Sequence, residues 1–212
     1  MDLPRSFTVR ESGHRIHNPL TSRKLAVLGK ALNPPPGPRV LDLACGSGEL
    51  LCTWARDHGS TGTGVDISTV FVAAARARAI ELEVAGQVTF LHGDASNHVA
   101  GDPVDIAACV GASWIGGGVA GTVDLLRRSL RPGGVLLIGE PYWRKEPRDG
   151  RPGQLGPLCR GSMAQHPPLA GRKPRRRAGG GAARGTHHRS GTPRPVPTRV
   201  PRLGGGFALM NR

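Results

Sequence analysis

The chain has 212 residues, 38% of them hydrophobic, and its 29 Lys+Arg against 15 Asp+Glu give a formal charge of +14. No apolar run approaches the roughly 18 residues of a membrane span, and the start has no basic segment followed by an apolar one. A soluble, cytoplasmic protein without a membrane partner is therefore expected. Cys45, Cys52, Cys109 and Cys159 show no Cys-x-x-Cys pairing and no histidine at ligand spacing, so neither a zinc site nor a disulfide framework is expected, and no metal.

In chain order, residues 1–37 are expected to form an N-terminal helical lid region. Next comes an apolar β run, Val40, Leu41 and Leu43, with one acid, Asp42, at its C-terminal end. A small-residue turn follows (Ala44, Cys45, Gly46, Ser47, Gly48), then a helical stripe of Leu50, Leu51 and Trp54 within 49–58. Strand, glycine-rich turn and helix make the first unit of a doubly wound α/β fold, whose ligand sits outside the carboxyl ends of the strands. Gly46 and Gly48 let the backbone approach a ligand that a Cβ would hold off. Asp42 would repel a pyrophosphate but suits a ligand carrying a sulfonium and an ammonium. Glu49 and Leu50 stand where a third glycine would open the helix, which further disfavours NAD.

A second strand ends at Asp66, 24 residues after Asp42, close to the spacing at which a strand-end acid grips a ribose diol. A helical pattern covers 68–84, and a third strand, Val88–His92, runs into Gly93-Asp94-Ala95. A fourth, Val104–Val110, leads to Gly111-Ala112-Ser113-Trp114; a helix is expected over 119–130. The turn Arg131-Pro132-Gly133-Gly134 precedes a fifth strand, Gly134–Glu140. This alternation of strand and helix predicts a parallel sheet. Acids or small turns at successive strand ends form a constellation far more specific than any one of them.

From about 38 to 143 the chain resembles the class I S-adenosylmethionine-dependent methyltransferases. The resemblance rests on Asp-Leu-Ala-Cys-Gly-Ser-Gly, Gly-Val-Asp, Gly-Asp-Ala and the Arg-Pro-Gly-Gly turn. It is narrowed by Glu11-Ser12-Gly13-His14-Arg15-Ile16-His17-Asn18-Pro19, by Cys109–Trp114 and by Gly139-Glu140-Pro141-Tyr142-Trp143, which are similar to a bacterial group whose substrates are poorly defined. One departure lies in the loop, where Ala44 replaces the family's usual first glycine. The implied fold is a Rossmann-like doubly wound parallel sheet, and the implied cofactor is S-adenosyl-L-methionine. Backbone around Ala44, Cys45 and Gly46 would pack on the methionine and ribose portions, with Asp42 nearby. Asp66 would accept the ribose hydroxyls, Ile67 would lie on the adenine face, Asp94 and Ala95 would meet the adenine edge, and Val110 would border the methionine side. Plainer roles stand beside these: Asp66 can cap a turn, and Gly-Asp-Ala also makes an Asx turn.

The methyl acceptor would lie over the strand tips. Of the residues placed there, among them His14, Arg15, Asn18, Ser113 and Trp143, the candidates for contact with it are His17, Trp114, Glu140 and Tyr142. His17 or Glu140 could take a proton if the acceptor must lose one. No catalytic residue is assigned. The polar face of a lid helix is the plainer reading of His14 and His17, and packing that of Trp114 and Trp143.

Near residue 144 the chain changes character. Residues 1–143 hold 13 Lys+Arg and 13 Asp+Glu, whereas 144–212 hold 16 and 2, so the net charge sits in the last third. That stretch also has 13 Gly and 10 Pro, with Phe207 its only aromatic. A third of Gly plus Pro without a period marks low-complexity chain, so a basic disordered tail is expected. One reading makes it a nucleic-acid-binding arm, with Arg175, Arg176 and Arg177 neutralising phosphates. The other is the residue bias of a GC-rich coding sequence read in a shifted frame, since the family adds a helix and two strands there; the last residues, Leu203–Met210, resemble the family's C-terminal strand, as if the frame were restored. Loss of that antiparallel hairpin would leave the fifth strand an uncovered edge. Methyl transfer to a small molecule is the expected function. An RNA methyltransferase with a basic arm, or an inactive cofactor-binding remnant, stays open. Gly111-Ala112-Ser113-Trp114 in place of an Asn/Asp-Pro-Pro-Tyr motif disfavours a nucleic-acid base as acceptor.

Overall fold

The computed structural model describes residues 3–18, 20–140 and, as backbone, 206–211. Tyr142, Trp143 and the basic stretch 144–205 lie outside the described residues. Two helices come first, α1 (Arg5–Glu11) and α2 (Ser22–Leu32), in the region expected to be a helical lid. Thr21 starts α2 by accepting the Lys24 N–H on its hydroxyl at 3.3 Å, and Asn33 ends it in the left-handed conformation. The alternating body follows as β1 (Arg39–Leu43), α3 (Glu49–His58), β2 (Thr61–Asp66), α4 (Thr69–Glu81), β3 (Val88–His92), β4 (Val104–Val110), α5 (Val119–Arg127) and β5 (Leu130–Glu140). Between β3 and β4 only the single turn Ala95–Asn97 is helical.

The strands lie in the order β3-β2-β1-β4-β5, all parallel, the arrangement of the Rossmann-like class I methyltransferase fold. Both faces are covered, and side-chain alternation divides the core in two. Val40, Ile106 and Ala108 point to α2, α3 and α4, where they meet Leu28, Leu51, Trp54 and Val72. Leu41, Leu43, Ala107 and Cys109 point the other way, onto Leu125 and Leu126 of α5. The fifth strand begins earlier than expected. Arg131-Pro132-Gly133-Gly134 is absorbed into β5, with Gly133 at φ 75° and a register shift against Val104/Ile106. A β-bulge holds the extra residues without ending the strand.

One expectation is corrected. Strand β5 is not an uncovered edge, because a sixth strand, β6 (Gly206–Asn211), runs antiparallel along it from Glu140↔Gly206 to Val135↔Asn211. The backbone N–H and C=O groups along β5 need partners, and a short apolar run near the chain's end supplies them. One antiparallel neighbour is thus present although the hairpin was expected to be lost, and it overlaps residues 203–210, the stretch that resembles a C-terminal strand.

Candidate active site

The site forms where β1, β2 and β4 end. The turn after β1 holds three left-handed residues in five: Ala44 (φ 58°), Gly46 (φ 55°) and Gly48 (φ 71°). Only Ala44 carries a Cβ, which makes the conformation cost about 1–2 kcal/mol there. The Cys45 N–H bonds to the Val65 carbonyl at 3.1 Å, and the Gly48 N–H closes the turn on the Cys45 carbonyl at 3.1 Å. A Cβ on Gly48 would come within 2.7 Å of the Phe90 ring and 2.8 Å of Ala75, so no side chain fits. The loop is therefore pressed onto the sheet, and its outer side, with Gly46, lines a pocket. Asp42, Ala44, Cys45, Ser47, Glu49 and Val110 also line that pocket, as do Arg15, His17 and Asn18 from the N-terminal segment.

Two acids stand under the loop on one face of the sheet. Asp42 pairs in register with Gly64, so Asp66 is its diagonal neighbour two residues further along β2. Their surroundings differ. Asp66, 5% exposed, accepts the Gly46 N–H on one oxygen at 2.8 Å and the Ser68 N–H on the other at 2.9 Å. Asp42, 4% exposed, accepts no hydrogen bond from the described residues. Burial, with a smaller push from Asp66, raises its carboxyl to about 8. The Cys45 thiol is pushed up too, first by burial and then by the two aspartates.

The N-terminal segment closes over the loop. His17 and His14 sit not on a helix but in the stretch between α1 and α2. The His17 Nε2 lies 2.8 Å from the His14 carbonyl and 3.0 Å from the Ser47 hydroxyl, and its ring packs edge-on against Phe71 at 4.1 Å. A Cβ on Gly46 would stand 3.2 Å from His17 Nδ1, and one on Gly111 would stand 3.1 Å from the Asn18 Cβ. The segment therefore crosses the tips of β1 and β4. Arg15 holds it to α4 through two bonds to Glu81, at 3.1 and 3.2 Å.

Of the residues singled out in the sequence, Asp42, Ala44, Cys45, Gly46, Val110 and His17 meet in this pocket, and Asp66 joins it through Gly46. Ile67, Asp94 and Ala95 follow the tips of β2 and β3 outside its walls. The Gly93 N–H ties the two tips together at the Asp66 carbonyl, 2.9 Å away. Asp94 makes the Asx turn, accepting the Ser96 N–H at 2.8 Å, and that bond holds its carboxyl below the usual carboxylate range. Glu140 accepts the Ser113 N–H at 2.8 Å, and Trp114 is 44% exposed; neither lines the pocket.

Sequence reasoning missed Glu49 and Arg78. Glu49, first residue of α3 and 6% exposed, receives Arg78 Nε at 2.8 Å and a second guanidinium nitrogen at 3.0 Å. Arg78 also pairs with Glu81 at 2.7 Å, so an ion-pair chain runs Glu49–Arg78–Glu81–Arg15 from the glycine loop to the N-terminal segment. Arg78 carries no motif, and only the packing of α4 on α3 brings it there. Among the described residues no cluster has metal-ligand geometry, and no helix is long and apolar enough to cross a membrane.

Residues 40–134 match a family model described as a methyltransferase domain. The uncharacterized protein YjhP of Escherichia coli (strain K12) is 60% identical over 147 residues, which cover 69% of this chain and 59% of that protein. A crystal structure of an S-adenosylmethionine-dependent methyltransferase from Geobacter sulfurreducens, in complex with S-adenosyl-L-homocysteine, is 66% identical with a TM-score of 0.68, covering 69% of this chain and 59% of that one. A second such complex, from Thiobacillus denitrificans, is 63% identical with a TM-score of 0.69, covering 70% and 60%. The chain thus spans about three fifths of the length of these relatives.

Proposed function

We propose that this chain carries an S-adenosyl-L-methionine-dependent methyltransferase activity directed at a small-molecule acceptor. The observation that carries the reading is Asp42, a buried carboxyl that lines the pocket and has no hydrogen-bond donor among the described residues. Burying a charge or polar group without a partner is costly, so such a group calls for one in the ligand. An ammonium meets that need and a pyrophosphate does not. The cradle fits as well: Gly46 and Gly48 are left-handed, and the outer side of the loop is bare backbone. The likeness to two proteins crystallised with S-adenosyl-L-homocysteine supports the same ligand class.

When bound, the cofactor supplies a methyl group on a sulfonium, ready for in-line displacement. What the chain's own residues add is positioning and exclusion of water. Asp66 fixes the loop through Gly46 and keeps lone pairs for the ribose hydroxyls. Asp42 takes the cationic end, and Ile67, Asp94 and Ala95 border the adenine. His17 and Asn18 lie over the β1 and β4 tips, where they would meet a small acceptor. His17 lines the pocket beside the loop and Glu140 does not, so His17 is better placed to accept a proton. Trp114, exposed after β4, offers an aromatic face to the acceptor. A second reading, RNA as acceptor, is favoured by one observation, the 16 Lys+Arg of residues 144–212.

Calorimetric titration with S-adenosyl-L-homocysteine tests the cofactor reading. Asp66→Ala should weaken binding by about 1.5–3 kcal/mol, the range for hydrogen bonds to a charged group, and NADH should not compete. Equal affinity of the two proteins, or displacement by NADH, overturns it. Methyl transfer to RNA that collapses when Arg175, Arg176 and Arg177 are changed to alanine would replace the small-molecule acceptor with RNA.

A further inference from the structure

Asp42 and Asp66 are adjacent acids with unequal support, and that inequality decides which holds a proton. Asp66 has a backbone N–H on each oxygen, a set that favours its ionised form. Asp42 is more than nine-tenths buried, accepts no hydrogen bond from the described residues and faces the pocket. Among the described residues that line the pocket, no Lys or Arg is free to neutralise it. Arg15 is committed to Glu81, and the other charged neighbour in the pocket wall, Glu49 of α3, is committed to Arg78. His17, from the N-terminal segment, has its Nε2 on the His14 carbonyl and Ser47. The thiols of Cys45 on the loop and Cys109 on β4 are pushed up by burial and by Asp42 itself, so they stay neutral.

We propose that Asp42 is protonated in the free protein and gives its proton to solvent when the cationic end of the ligand enters, so that ligand uptake is coupled to the release of one proton. The step balances: the Asp42 O–H bond breaks, the proton leaves to buffer, and the carboxylate formed pairs with a ligand ammonium. Without a cationic group there is nothing to drive the ionisation, so the coupling makes the pocket selective for charge as well as shape. The inference rests on the reading above that the pocket takes such a ligand.

Calorimetry of S-adenosyl-L-homocysteine binding to the full chain at pH 6.5, in buffers of different ionisation enthalpy, counts the protons. With the carboxyl at about 8 in the free protein, close to one proton should appear per ligand bound. Affinity should rise about tenfold per pH unit between pH 6 and 7, as linkage requires. Asp42→Asn should bind more weakly, release no proton from this site and lose the pH slope. Binding by the unaltered chain with no proton released overturns the proposal while leaving the cofactor reading intact. The same release from the Asn variant assigns the proton elsewhere and also overturns it. Failure of the ligand to bind at any pH overturns both.

Discussion

At Asp42 function and stability pull against each other. Its carboxyl is raised from 3.8 to about 8 in the folded protein, so between those values the folded chain holds a proton that the unfolded chain has lost. Stability contributed by that proton is complete below about pH 4 and drains away as pH rises toward 8, at up to about 1.4 kcal/mol per unit. Asp94 acts in the opposite sense and in another window. Its carboxyl is lowered by the Ser96 bond, so its contribution is present above pH 4 and is lost as pH falls further. Asp42→Asn should therefore unfold at higher temperature than the parent at pH 7.5 and at a similar temperature at pH 4, while binding the ligand less well. Thermal unfolding followed across that range checks this, and an equal loss of stability at both pH values would contradict it. The sequence marked Asp42 and Asp66 as a pair of strand-end acids by type and spacing. It could not show that Asp66 accepts the Gly46 N–H while Asp42 accepts no hydrogen bond from the described residues, because Gly46 lies on a loop whose path depends on its left-handed residues. Ala44 belongs to the same lesson: as an alanine it conceals a φ of 58°, which only the folded turn reveals.

Among the elements, α3 and α4 are joined to the N-terminal segment by charge as well as by packing. The Arg78–Glu49 pair is well shielded, with side chains 14% and 7% exposed, whereas Arg15 and Glu81 are 58% and 52% exposed. Breaking a buried pair from one side strands the other charge. Arg78→Ala should destabilise the protein by about 3 kcal/mol, because Glu49 is left without a counter-ion beside the glycine loop. Arg15→Ala should change the unfolding temperature little, since water takes over a surface partner readily. Denaturant unfolding of both variants separates the two, and the opposite ranking would show that the surface link carries the chain of ion pairs. Helices α3, α4 and α5 were legible because apolar spacing and turn residues act locally; the observed ends differ from the expected ones by at most three residues at α4 and α5. The Glu49–Arg78 bond was not legible, since nothing local relates two charges 29 positions apart.

At the scale of the whole molecule, β6 closes what the sequence left open. Its six residues pair along β5 from Val135 to Glu140 and satisfy backbone groups that would otherwise face outward. Changing Leu209 to Pro, in register with Leu137 at the middle of β6, locks the backbone there and disfavours the strand. The variant should aggregate at concentrations where the parent stays monodisperse, as an apolar strand edge is uncovered. Light scattering against concentration reads this, and matching curves would mean that β6 does not protect β5.

By itself the sequence determined the α/β alternation, the parallel sheet, the glycine-rich turn after the first strand and the acids at the strand ends. Each of these is written in neighbouring residues through period, turn chemistry and small side chains. Only the tertiary structure decided that His17 lies against the glycine loop, that Arg78 neutralises Glu49, that residues 206–211 pair along β5 and that Asp42 is buried without a hydrogen-bond donor among the described residues. These are contacts between segments far apart in the chain, and they arise from how packed elements meet, which no local pattern encodes.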